Sequence, residues 1–348
     1  MRDRTKEIIK DGFGSLISNA SAMRGAKAGP LWLTIVFFVL ALLLPVIPLF
    51  VAQANTNGSS FLNTYSYSLE KYVTTMAIEL KDDGYEFGIG ADHLLSISKG
   101  EEKVNFAEYG SEKPFAGYDN EVTHQYDFMI YLSNAQTEKQ KNSVVKDITL
   151  KNYKVGTMDI SEEGDIYHPS YIIFFEDGVY VSIYASNTTK AISSSFLGDF
   201  KTVKENNACL ATLLSVKDKD GNVIAQNIID NDYVNGVYKN FKTFLNKSYE
   251  TLKIRNMWGT SGIYLAIFFG LNVLMGFLMW LLTRGKNNPN NYFTPWLTMK
   301  IQARLGLSPA IITLIAGFFL TQYTPVIYIV TVGLRVMWMS MKELRPLQ

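Results

Sequence analysis

Three histidines, His93, His124 and His168, are the side chains of this sequence best suited to hold a metal ion. They lie 31 and 44 residues apart, and neither interval is the short spacing by which zinc ligands share one loop or helix face. Nucleophile signatures are missing too: there is no Gly-x-Ser-x-Gly, no His-Glu-x-x-His and no glycine-rich phosphate loop ending in Lys-Ser or Lys-Thr. Glu162, Glu163 and Asp165 surround Gly164 and read as a solvated turn. Asp218-Lys-Asp-Gly-Asn222 opens like a calcium loop, but Ile229 stands where the twelfth-position glutamate should be, so a hairpin turn is expected instead. The single cysteine, Cys209, excludes an intramolecular disulfide and sits in the apolar run Cys209 to Leu214, where a small buried hydrophobe is expected. No catalytic residue, metal or cofactor is expected, and the chain does not read as an enzyme.

The elements that would position any site fall into two kinds of sequence. Leu31 to Ala52 carries no charge over 22 residues, enough at about 1.5 Å per residue to cross a hydrocarbon core about 30 Å thick. Ser261 to Thr283 is likewise uncharged, and Leu307 to Met341 is apolar except for Arg335. Ala54 to Met257 has the mixed composition of a water-soluble domain. It holds 20 Lys and Arg against 28 Asp and Glu, a net charge of −8, while the rest of the chain carries +9. The near-neutral total hides this split.

Charge also suggests an orientation. Arg2, Arg4, Lys6, Lys10, Arg24 and Lys27 precede the first span, and Arg284, Lys286, Lys300 and Arg304 follow the second. Positive residues favour the cytoplasmic side, so both clusters are expected inside and the acidic region outside. An alternative is a cleaved signal peptide ending at Ala52-Gln53-Ala54, although the 29-residue polar arm before the run favours a retained anchor.

The fold class expected is an α+β membrane protein: four transmembrane helices plus an extracytoplasmic β-rich domain flanked by two stalk helices. A cytoplasmic amphipathic arm (1–29), with Ile8, Ile9, Phe13, Leu16 and Ile17 at helical spacing, leads into a first span at 30–53. The outer domain covers 54–258. Its first stalk helix carries Phe61, Leu62, Tyr65, Leu69, Tyr72, Val73, Met76 and Leu80; its second carries Val234, Val237, Phe241, Phe244, Leu245 and Leu252. Tyr126 to Leu132, Tyr171 to Phe175, Val179 to Tyr184 and Leu210 to Val216 read as strands. Glu176-Asp-Gly178 should join the middle two as a hairpin, and Asp218 to Asn222 should lead into a further strand, Val223 to Ile229.

A second span at 261–283 is followed by a cytoplasmic interfacial loop and helix at 284–305, opened by Thr294-Pro295. The apolar stretch 306–341 is expected to fold into a helical hairpin at Thr324-Pro325, which returns the 342–348 tail to the cytoplasm. Gly262, Ala266 and Gly270 recur every four residues on one face of the second span, where a partner or the chain's own spans can approach. Trp296, Lys300, Arg304 and Arg335 are expected as anchors at the inner membrane surface, Arg335 by snorkelling from six residues before Met341.

Taken together, the basic arm, the early span, the Phe175-Glu-Asp-Gly-Val179 hairpin and the ending Met337-Trp-Met-Ser-Met-Lys-Glu-Leu-Arg-Pro346 resemble a functionally uncharacterised family of membrane proteins from low-GC Gram-positive bacteria, the maltodextrose-utilisation proteins. The resemblance implies an accessory role in uptake of maltodextrin-type sugars and supplies no catalytic or binding residues. The partners expected are therefore membrane lipid and a protein in the same membrane, a transporter or envelope complex. Carbohydrate stacking on some of the 20 Tyr and 21 Phe rings is a further expectation. Nucleic acid is not expected. The competing function is a subunit of an oligomeric transporter or insertase.

Overall fold

Ser18 accepts a hydrogen bond from the Ser21 amide and so caps helix α1 (Asn19–Ala28), which ends at Gly29-Pro30. Pro30 holds the chain extended and starts α2 (Leu31–Leu43). A 3₁₀ turn at Leu44–Val46, where Pro45 cannot donate to the ladder, passes into α3 (Ile47–Asn55). The computed structural model describes residues 10–64, 69–110, 113–119, 126–158, 169–184, 193–205, 209–218, 220–224, 230–284 and 288–344. Its elements divide into two units, Met1–Asn55 with Arg255–Gln348, and Thr56–Ile254. The architecture is mixed helix and sheet, with four helices among the described residues long and apolar enough to cross a membrane.

In the unit Thr56–Ile254, α4 (Leu69–Asp82) precedes a small antiparallel sheet of β1 (Tyr85–Ile89), β2 (Leu95–Lys99) and β3 (Glu102–Lys103). A second sheet has the order β4 (Ala116–Asp119), β5 (Tyr126–Ser133), β6 (Ser170–Phe175), β7 (Gly178–Tyr184), β8 (Ser193–Asp199). Its pairs are antiparallel except β5 with β6, which are parallel. A parallel pair needs a crossover, and α5 (Glu138–Met158) supplies it. Thr137 and Gln140 start α5 reciprocally: the Gln140 amide donates to Thr137 Oγ1 at 3.3 Å and the Thr137 amide to Gln140 Oε1 at 3.1 Å.

Alternation along β5 and β6 divides the sheet's two faces. Phe128, Ile130, Leu132, Ile172 and Phe174 face one core, whereas Met129, Tyr131, Tyr171, Ile173 and Phe175 face another, which Ile148 of α5 joins. The first core also takes Leu69, Val73, Met76, Ala77 and Leu80 of α4, and Tyr233, Val237, Phe241, Phe244 and Leu245 from the start of α7 (Asn231–Leu282). These two helices were expected as a stalk. They instead pack on the sheet, because their apolar stripes are the surface that closes its first face. Phe61 and Leu62, expected at the start of the first helix, lie in a separate 3₁₀ turn (Gly58–Thr64).

Leu210 to Val216, expected as a strand, begins with a short helix, α6 (Leu210–Leu214). Leu and Ala favour helix over strand, and the four-residue spacing places both Leu210 and Leu214 on the buried side. Asn240 Nδ2 donates to the carbonyls of Leu213 (3.0 Å) and Ser215 (3.3 Å), satisfying the end of this helix. The turn after it is a hairpin as expected: Lys217 bridges Val223, Gly221 takes φ +87°, and Asp218 Oδ1 accepts from the amides of Asp220 and Asn222. The rest of the expected strand, 225–229, lies outside the described residues. In the β6–β7 hairpin the loop is Glu176-Asp177, and Gly178 belongs to β7, paired with Phe175.

The other unit contains α1 to α3, the second part of α7, α8 (Pro295–Leu305), α9 (Leu307–Phe319) and α10 (Thr324–Glu343). The Thr294 side chain caps α8, with Pro295 in the first turn. The sequence placed this helix along the membrane surface, outside the third span. Gly306 keeps right-handed helical dihedrals and accepts from Ala310, so α8 and α9 form one 25-residue apolar element, Pro295–Phe319. The chain then breaks at Leu320 and re-enters helix at Thr324-Pro325. Gly317 permits the tight return, since a side chain there would meet Thr324 Oγ1 and Pro48.

Candidate functional site

Asn272 is an amide in the middle of an apolar helix and is fully buried. Its Nδ2 donates to the Phe268 carbonyl and to Tyr328 Oη, both at 2.8 Å, and its Oδ1 accepts from Gln302 Nε2 at 3.0 Å. Tyr328 in turn donates to the Ala41 carbonyl at 2.9 Å. Four elements, α2, α7, α8 and α10, are thereby tied at one level. Gly306 makes room for this, because a Cβ there would lie 2.9 Å from Asn272 Oδ1 and 3.3 Å from Ala41 Cβ. Sequence reasoning passed over Asn272; the available signal was a lone amide inside an uncharged 23-residue run.

Arg304 was expected at the membrane surface, and the structure buries it, leaving 1% exposed. Its guanidinium packs on α1, where a Cβ at Gly25 would lie 2.6 Å from Nη1 and one at Gly29 2.5 Å from Nη2. It sits 5.2 Å from the Phe37 ring, and none of its three nitrogens has a hydrogen-bond partner among the described residues. Arg335 reaches back to the Ser15 carbonyl at 3.1 Å and stacks 5.1 Å from the Trp338 ring. Trp296 is exposed, and Lys300 lies 5.8 Å from its ring. The four anchors therefore divide: Trp296 and Lys300 share one surface, while the two arginines turn towards the N-terminal segment.

Gly262, Ala266 and Gly270 are all exposed, as is Gly259 one turn before them. A Cβ added at Gly259, Gly262 or Gly270 would meet nothing within 4 Å. The chain's own spans therefore do not pack on this face of α7. Around it, Ile263, Ile267, Phe269, Val273 and Phe277 are large exposed apolar side chains.

Of the three histidines in the unit Thr56–Ile254, His93 lies in the turn between β1 and β2 at φ +61°, and His124 and His168 lie outside the described residues. Among the described residues, no group of three His, Cys, Asp or Glu side chains is placed to hold a metal ion. Cys209, expected in the core, is only half-buried, and its Sγ lies 3.7 Å from Glu86 Oε2, because it precedes α6 rather than entering a strand. Under α5, Tyr171 shares a 2.6 Å hydrogen bond with Thr149, and burial pushes the Tyr171 and Tyr184 hydroxyls above their ordinary range. Tyr131 and Tyr171 are enclosed, so of this cluster only Tyr180 and Tyr184 present part of a ring. An open cleft of about 910 Å³ lies between α4 and the start of α7, lined by charged and polar residues such as Glu70, Lys71 and Asp230 and by the apolar Ile78 and Val234.

The class these features define is a protein with four membrane-compatible helices, tied by a buried amide and tyrosine cluster, and a separate α/β unit inserted between the first and second of them. Comparisons of the chain with family models, with curated proteins and with solved structures found no match.

Proposed function

We propose that this chain is a membrane-embedded accessory protein that presents its α/β unit outside the cytoplasm and docks on another integral membrane protein through the open face of α7. The observation that carries this reading is the Gly259, Gly262, Ala266, Gly270 stripe, which meets no atom of the described spans. Small residues let helix backbones approach closely in a membrane, where packing rather than the hydrophobic effect drives association. The orientation rests on charge: the inserted region carries −8 and the remainder +9, which favours the termini on the cytoplasmic side. The partner class is a transporter, and the family resemblance implies a maltodextrin-type sugar importer.

The test is affinity purification of the tagged chain from its native membrane in mild detergent, with mass spectrometry of proteins recovered in near-equal amount. Recovery of transporter subunits supports the reading. Gly262→Leu with Gly270→Leu should abolish that recovery while shifting the protein's own stability by no more than about 0.5 kcal/mol, since both sites are open. Recovery of the chain alone overturns it.

A second reading, a subunit of an oligomeric transporter or insertase, draws on the buried Asn272, Gln302 and Tyr328 cluster, because polar groups inside spans often mark substrate paths. Solute flux or protein insertion by the purified chain alone in liposomes would favour it over the accessory role.

A further inference from the structure

A groove of about 290 Å³ lies between α2, α7 and α8, at the lower end of the size range of ligand pockets. Ile35 and Phe38 of α2, Phe269 and Val273 of α7, and Met299 of α8 form its apolar walls. Along α2 the lining runs from Leu31 to Phe38, about 10 Å of helix. There Phe38 meets Phe269 edge to face at 5.7 Å, closing that end.

The polar groups of the groove are few and specific. Gly276 lies against Met299 and Gly306 against Asn272, so α8 runs antiparallel to α7 and its Trp296 end points away from Phe269. Trp296 and Lys300 therefore line the end opposite the aromatic closure. No carboxylate lies within ion-pair distance of Lys300 among the described residues. Thr34 also lines the groove, is only 6% exposed, and its hydroxyl has no hydrogen-bond partner among the described residues. A slot with one unpaired cation, one tryptophan and one unsatisfied hydroxyl matches a molecule with an apolar tail and an anionic head.

We propose that this groove is a binding site for a single anionic phospholipid, with one acyl chain between α2, α7 and α8 and the phosphate at Lys300. Tryptophan and lysine together suit the headgroup level of a bilayer, where an indole ring is half apolar and an ammonium pairs with phosphate. The apolar walls select a lipid over free phosphate, and Lys300 selects an anionic headgroup over a zwitterionic one.

The experiment reconstitutes the full chain in nanodiscs of equal phosphatidylglycerol and phosphatidylcholine with identical acyl chains. The protein is then released into uncharged detergent and its retained lipids are counted by native mass spectrometry. The wild type should retain one phosphatidylglycerol in about fivefold preference, the factor that one lysine near an anionic surface supplies. Lys300→Gln should bring the two lipids to parity, Lys300→Arg should keep the preference, and Lys342→Gln, outside the groove, should leave it unchanged. Val273→Trp and Ile35→Trp each fill the groove and should eject both lipids, with a thermal unfolding midpoint recorded for each variant to show that it is folded. Parity in the wild type, a preference that survives Lys300→Gln, or lipid retained by both folded tryptophan variants would overturn the assignment.

Discussion

Replacing Asn272 with leucine should destabilise the membrane-compatible helices, and most of the loss should fall on a residue that is not mutated. Asn272 makes two hydrogen bonds to side chains of other helices, to Tyr328 at 2.8 Å and from Gln302 at 3.0 Å. Interhelical bonds of this kind average about 0.6 kcal/mol each. Tyr328 keeps its bond to the Ala41 carbonyl and remains satisfied. Gln302 does not: its Oε1 is already without a partner, and losing Asn272 orphans the whole buried amide, at a cost of about 1–3 kcal/mol. The Asn272→Leu variant should therefore lose about 2–4 kcal/mol. Gln302→Leu loses one bond and exchanges one unsatisfied oxygen, its own Oε1, for another, Asn272 Oδ1, so it should cost about 0.6 kcal/mol. The double variant removes the orphan and should recover about 1 kcal/mol or more relative to the sum of the singles. Reversible unfolding in mixed micelles, followed by tryptophan fluorescence and helical circular dichroism, measures all four corners of this cycle. Additivity within about 0.3 kcal/mol would refute the reasoning, since it would mean that Gln302 finds another partner when Asn272 is gone.

Other consequences are as direct. Arg304→Met removes a buried guanidinium without hydrogen-bond partners and keeps a long side chain against Phe37, so stability in micelles should rise by about 1–4 kcal/mol; a loss would show that the charge is paired in solution. Thr137→Ala breaks the reciprocal cap of α5 and should cost about 1 kcal/mol, read from the urea midpoint of the α/β unit's circular dichroism. The enclosed Tyr171 hydroxyl has its pKa raised above 10.0 by burial, so the folded state holds that proton more tightly than the unfolded state. Its contribution is fully present below pH 10 and is lost as pH rises towards the higher folded value, with a slope of about 1.4 kcal/mol per pH unit. Urea midpoints should fall between about pH 10 and pH 11.5, and Tyr171→Phe should lower the slope by one group's share, leaving that of other buried tyrosines such as Tyr184, even though it forfeits the Thr149 bond.

The fold was legible where burial on a face follows chain period. Runs such as Tyr171 to Phe175, and Val179 to Tyr184 apart from Ser182, are apolar because both faces of that sheet are covered. The crossover helix was harder to read, since its described side chains include only two buried ones, Lys141 and Ile148, and it shows little apolar periodicity; the Thr137 to Gln140 capping box was its clearest mark. The parallel pairing of β5 with β6 follows from that helix, so missing one meant missing the other. The five residues from Leu210 to Leu214, four of them apolar, could have been strand or helix by composition, and the Leu210 to Leu214 spacing decides for helix.

Small residues at four-residue spacing show most plainly where sequence stops short of a site. Gly262, Ala266 and Gly270 carry that pattern in an apolar span, where it is usually sought, and within the described structure the face is open. Gly25 and Gly29 carry the same spacing in the basic N-terminal segment, beside buried Ala22 and Ala26, and there the face is filled by α8 with the Arg304 guanidinium lying across both glycines. The pattern states that a helix can be approached closely; what approaches is set by the neighbouring chain. Arg304 looked like a surface anchor because it lies in the basic segment 284–305, expected along the inner membrane surface. It is buried because α1 offers two positions without a Cβ at the height of its guanidinium, and a flat cation fills a slot that any side chain on those glycines would close.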